Sequence, residues 1–183
     1  VIRLLILILC SIVFVLQITS KNNDLMIYYF GFKPGTLFGS SEKDQTFVPI
    51  FTIFTSMFMH GGWLHFLGNM LYLWIFADNV EDELGKKKFI VFYLLSGVAA
   101  ALVQSVENID SLTPMIGASG AIAGVLGAYL YLFPKAKVLV LIPFIIFFTI
   151  RVPANILLLF WFFYQFININ DEHSSVAWIA HIG

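Results

Sequence analysis

The sequence predicts an all-α fold, a polytopic bundle of membrane helices forming one domain over residues 1–183, and three observations carry that reading. Of the 183 residues, 60% are hydrophobic and 11% are charged, with a mean hydropathy of +0.90; a soluble domain carries roughly 25% charged residues. The apolar residues come in runs long enough to cross a bilayer, which takes about 20 residues of helix. The basic residues gather in alternate connections between those runs. A net charge of −1 provides no basic field, so nucleic acid is not an expected partner. Cys10 is the single cysteine, which rules out an internal disulfide.

Six crossing segments are expected, at 2–18, 63–77, 89–106, 115–133, 154–169 and from 174 onward, the last cut off at Gly183. The chain opens on Val1 and stops in mid-pattern, which reads as a fragment trimmed at both ends. Two further apolar runs are too short to cross. Residues 47–59 are separated from the second span by Gly61 and Gly62, and read as an interfacial or half-embedded helix. Residues 138–150 hold Pro143 between Lys135, Lys137 and Arg151, and are also expected at the interface.

Charge sets the orientation. With the N-terminus inside, the inner segments hold Arg3, Lys86, Lys87, Lys88, Lys135, Lys137 and Arg151, and the outer loops hold Lys21, Lys33 and Lys43. That asymmetry predicts a cytoplasmic N-terminus in a cell membrane, with the loops 19–46 and 168–175 outside.

Polar groups inside a bilayer are costly and mark function by default. "HGGWLHFLGN" places His60, His65 and Asn69 at the start of the second span, "GASG" places Ser119 at the start of the fourth, and "AHIG" places His181 in the sixth. At ~1.5 Å per residue, Ser119 lies roughly 7 Å inside its span, His65 about 5 Å, and Asn69 and His181 about 10 Å, all in the outer half. A serine needs a base to take its proton, and His181 is a candidate. The apolar stretches hold no carboxylate, so a Ser–His dyad fits better than a triad. Acyl transfer also needs donors for an oxyanion. His65 and Asn69 share a helix face at i,i+4, and the Ser119 amide falls in a first helical turn, where N–H groups are free. Gly117 and Gly120 would let backbone and substrate come close.

Each feature also has a structural reading. Gly120 and Gly124 form a helix-packing face, and an intramembrane Asn or His often hydrogen-bonds between helices. Trp63, Trp74, Trp161 and Trp178 read as packing or interfacial anchors. His60 lies roughly 140° around a helix from His65, so no shared metal site is expected. The zinc-protease motif H-E-x-x-H is absent, and the chemistry calls for no metal or other cofactor.

Together, "HGGWLHFLGN", "VEDELG", "GASGAIAG" and "AWIAHIG" resemble the rhomboid family of intramembrane serine proteases. The resemblance implies that Ser119 is the nucleophile and His181 the base, with His65, Asn69 and the Ser119 amide around the oxyanion. It implies a substrate in the lipid bilayer: a single-pass transmembrane protein, cut near the outer interface after a small residue in an unwound helix. The small residues of the fourth span would draw it against the sixth, bringing Ser119 to roughly 3 Å from His181. Rhomboids often carry an aromatic four residues after the serine, stacked beneath the histidine; here that residue is Ala123. The family's Trp-Arg pair is missing from the first loop. The rival reading is a catalytically silent rhomboid-like protein that binds membrane clients.

Overall fold

In a computed structural model the chain is mostly helical, with residues 1–38, 48–107, 109–141, 149–168 and 181 described and the side chains of 165–168 left aside. The first long helix, α1 (Ile2–Thr19), is apolar on every side. It buries Ile6, Cys10, Phe14 and Gln17, while Leu5, Ile8, Ile12 and Leu16 stand more than half exposed. An outward face as apolar as the inward one fits lipid rather than water. The first loop folds into two short helices, α2 (Asn23–Phe30) and α3 (Pro34–Leu37), and α4 (Pro49–Ser56) is the compact form of the interfacial run expected at 47–59.

The core is built by α5 (Trp63–Leu84), α6 (Lys86–Glu107) and α7 (Ser119–Leu132), with α7 packed on both others and α1 on α5. Gly85, at φ +75°, makes the tight turn between α5 and α6. A small residue brings α6 and α7 together, since a Cβ on Gly124 would overlap the Ser96 side chain, and another lets α6 meet the end of α4, since a Cβ on Gly97 would overlap Met57. The small-residue face of the fourth span is therefore occupied by α6 at Gly124. Nothing lies within 4 Å of a Cβ placed on Gly127.

After α7 the chain forms two antiparallel strands, β1 (Lys137–Leu141) and β2 (Thr149–Pro153), paired from Lys137↔Pro153 to Leu141↔Thr149. The described ends of the 138–150 run, expected at the interface, are thus strands. Alternating β-branched and long side chains around Val138, Val140 and Ile150 suit a pleat, and the hairpin returns the chain to the end of α7 that it left. The Ala154 amide closes this return on the Ala136 carbonyl at 2.7 Å, and α8 (Ala154–Asn168) runs back along the bundle.

Two helices among the described residues, α1 and α6, are long and apolar enough to cross a membrane. The remaining expected spans are shorter apolar helices or, in α5, a helix whose last turns carry Asp78, Glu81, Asp82 and Glu83. Those acids sit at a helix C-terminus, where the dipole disfavours them. Packing against the start of α1 offsets this. Glu81 is 3% exposed and accepts 2.8 Å hydrogen bonds from the backbone amides of Ile2 and Arg3, free N–H groups in the first turn of α1. Burial alone would raise its pKa, but these bonds hold it below the ordinary glutamate value. The sixth span and the loop before it, apart from Asn168 and His181, lie outside the described residues, as do 39–47 and 142–148.

Candidate active site

The helix bearing Ser119 begins at Ser119 itself, not at Met115. Residues 115–118 are a loop, so a depth reckoned by helical rise from Pro114 does not apply. The physical reason lies in the partners of this loop. Met115 and Phe32 exchange backbone hydrogen bonds of 2.7 and 3.0 Å, the Gly35 amide donates to the Ser111 carbonyl at 2.8 Å, and the Gly117 amide donates to the Ser56 carbonyl at 2.9 Å. Phe32 takes the Met115 carbonyl that a helix from Met115 would use for its first bond, and Gly117, at positive φ, stands outside helical conformation. Ser119 is left at the first helical position, where amides are free and the dipole is positive.

Gly117 is held at φ +132°, a conformation side chains rarely adopt. A Cβ there would lie 2.7 Å from Nε2 of His65 and 3.5 Å from Oγ of Ser119. Glycine at 117 is what lets that imidazole nitrogen approach the serine loop. The His65 tautomer follows from its other nitrogen. The Gly61 amide donates to Nδ1 at 3.3 Å, so the proton of the neutral ring belongs on Nε2, the atom facing Gly117.

One helical turn on, Asn69 is buried at 8% exposure, and its Nδ2 has no hydrogen-bond partner among the described residues. The interhelical hydrogen bond of the structural reading is not made. A buried amide donor without a partner is uncommon and asks for an explanation. His60 is also nearer than a continuous helix would put it. The helix starts only at Trp63, and the preceding turn brings the His60 ring to 5.3 Å from that of His65. His60 is gripped by Gln17, which donates to the His60 carbonyl at 3.2 Å and accepts from its amide at 3.0 Å. Its ring meets Phe66 edge-on at 5.4 Å. No group of three metal-ligating side chains occurs among the described residues.

His181 is buried. Its ring stacks on Trp161 of α8, with centroids 5.8 Å apart and planes 29° from parallel. Among the described residues no hydrogen bond joins Ser119 to His181, and the two line different cavities. Ser119 borders one of about 40 Å³ with Gly117, Gly120, Ser56 and Ile116, and His181 borders another with Ala123, Gly124 and Trp161.

A family model described as Rhomboid domain matches residues 49–183. The chain belongs to the rhomboid family. Among its curated relatives, Rhomboid protein 1, mitochondrial, of Saccharomyces cerevisiae is 37% identical over 105 residues, 55% of this chain and 30% of that protein. Presenilin-associated rhomboid-like protein A, mitochondrial, of Danio rerio is 38% identical over 95 residues, 50% of this chain and 25% of the other. Rhomboid protease GluP of Bacillus subtilis is 34% identical over 120 residues, 64% of this chain and 22% of that protein. The chain thus matches less than a third of the length of each relative. Membership puts this rhomboid in a membrane. Mitochondrial names stand beside the bacterial one, so the expected cytoplasmic membrane gains no support from them. What sequence reasoning missed in this rhomboid was Trp161, read as an anchor. The signal was the small residue at 123, which left the histidine without a ring on α7.

Proposed function

We propose that this rhomboid is an intramembrane serine endopeptidase in which Ser119 attacks a substrate carbonyl, His181 takes its proton, and His65, Asn69 and the Ser119 amide stabilise the oxyanion. The observation that carries the reading is His65 Nε2 set against Gly117, on the loop that leads into the free N-terminus of α7, with the unpaired amide of Asn69 one turn further along the same face of α5. Donors already in place cost no reorganisation as charge develops on the carbonyl oxygen. In the first step Oγ bonds to the carbonyl carbon as its proton passes to the imidazole, which then protonates the leaving amine. Water releases the acyl group by the reverse exchange. The cavity of about 40 Å³ beside Ser119 fits a small side chain before the cut. The substrate class is a single-pass transmembrane protein with a locally unwound helix, whose carbonyls are otherwise bonded and shielded.

The bundle has six spans in this reading, with the N-terminus cytoplasmic and the site in the outer half of a cell membrane. An impermeant maleimide applied to intact cells should then label a cysteine at Ser41 and spare one at Lys137, in a Cys10→Ser background; the opposite pattern would reverse the orientation.

One observation favours the rival reading, a silent rhomboid that retains membrane clients: the missing hydrogen bond between Ser119 and His181 among the described residues. Cleavage of a transmembrane reporter by the purified full-length protein decides between them. The protease reading expects turnover that Ser119→Ala abolishes. Reporter binding without turnover would establish the rival.

A further inference from the structure

A histidine serves as a general base only when its ring is held in the plane that points a nitrogen at the proton to be taken. In this chain the residue one turn after Ser119 is Ala123, whose methyl group offers no such platform. The ring lying on His181 comes from another helix. Trp161 of α8 stacks on the imidazole at 5.8 Å and 29°, and Ala123 lines the same cavity. Trp161 is itself backed by a column of rings. It leans on Tyr72 of α5 at 6.2 Å, Tyr72 stacks on Phe76 at 5.9 Å, and Phe76 meets Tyr129 of α7 edge-on at 4.9 Å. The column ends in the core, where Phe76 is 2% exposed. A platform anchored in this way resists tilting.

We propose that Trp161 is the positioning residue of His181, an indole from α8 doing at the histidine what an aromatic at position 123 would do from α7. It sets the plane of the imidazole, and its π face favours the imidazolium formed when the ring takes the Ser119 proton. The inference rests on the reading of Ser119 as nucleophile and His181 as base. It assigns Trp161 an effect on the chemical step rather than on substrate capture.

The test compares Trp161→Phe with Trp161→Leu in the full-length protein, at equal folded fraction by thermal melting. Both residues are apolar and of similar bulk, but only Phe keeps a π face. Turnover of a transmembrane reporter and the rate of labelling by a fluorophosphonate are measured together. Trp161→Phe should stay within a few-fold of wild type. Trp161→Leu should lose about 10- to 100-fold in kcat, the scale of a misplaced catalytic group, with KM little changed. Adding Ala123→Tyr to Trp161→Leu should recover much of the loss by supplying the ring from α7. Equal rates in Phe and Leu variants, a loss confined to KM, or a loss that Ala123→Tyr does not recover would each reduce Trp161 to helix packing. A wild-type protein that neither labels nor cleaves would instead remove the nucleophile–base reading, and this inference with it.

Discussion

The two ends of the long helix α5 are finished in opposite ways. At its last turns, the buried carboxylate has partners. Glu81 takes the Ile2 and Arg3 amides of α1, and the Arg3 side chain donates to the Trp74 carbonyl at 3.0 Å and pairs with Asp78 at 3.1 Å. Of the buried side-chain polar atoms there, Arg3 Nε alone goes without a hydrogen bond among the described residues. At its first turns the reverse holds. Asn69 Nδ2 and both ring nitrogens of His60 are buried without partners among the described residues, and Gly117, against His65, holds a backbone conformation open to glycine but not to other residues. Buried polar groups without partners lower stability. One end of the helix pairs its buried charge; the other leaves buried polar groups unpaired, as the proposed oxyanion site requires.

That contrast breaks most sharply at Gly117. Gly117→Ala should abolish cleavage of a transmembrane reporter, a fall of at least about 100-fold, because its Cβ would sit 2.7 Å from His65 Nε2 and force the ring off the serine loop. Near-normal turnover would mean that His65 plays no part in the chemistry.

Asn69→Ala sharpens the comparison by separating activity from stability. It should lower kcat by about 10- to 1,000-fold, with less effect on KM, since the donor acts on charge that develops only in the transition state. Its melting temperature should stay equal or rise, because the substitution removes a buried donor that has no partner. A fall in stability with unchanged kcat would return Asn69 to helix packing.

Glu81 gives the smallest effect on activity and the opposite pattern. Glu81→Ala should cost about 2–3 kcal/mol of stability, the scale of lost hydrogen bonds to a buried charge, while kcat per folded molecule stays unchanged. The acid limb adds a signature. The folded-state pKa of Glu81 is lowered, so its contribution is fully present above the ordinary glutamate range and is lost as pH falls through the lowered value. Glu81→Gln should flatten that part of the stability–pH curve. An unchanged acid limb would show that another carboxylate governs it.

The contrast also marks what the sequence made legible. Apolar run lengths located α1 and α6 to within a few residues, because a membrane helix needs little beyond length and hydrophobicity. His65 and Asn69 were visible as an i,i+4 pair, since spacing alone puts them on one face. Less legible was anything set by contacts distant in sequence. The helix start at Ser119 depends on backbone bonds from Phe32 and Ser56, which no local pattern encodes. Trp161 meets His181 across 20 positions of chain, so only the gap at Ala123 hinted that a ring had to come from elsewhere. That the ends of the 138–150 run pair as strands was not legible, because a short apolar run does not distinguish a strand from a short helix.

The central claim is that Ser119 is an activated nucleophile, and covalent labelling by a fluorophosphonate tests it most directly. The reagent reacts with a serine whose proton has an acceptor and whose oxyanion has donors; ordinary buried serines are inert to it. The full-length protein should label at Ser119 and at no other serine. Ser119→Ala should abolish the label, His181→Ala should nearly abolish it although the serine remains, and His60→Ala should leave much of it. A folded protein that does not label, or that labels equally well without His181, would contradict the account and leave the silent client-binding rhomboid in its place.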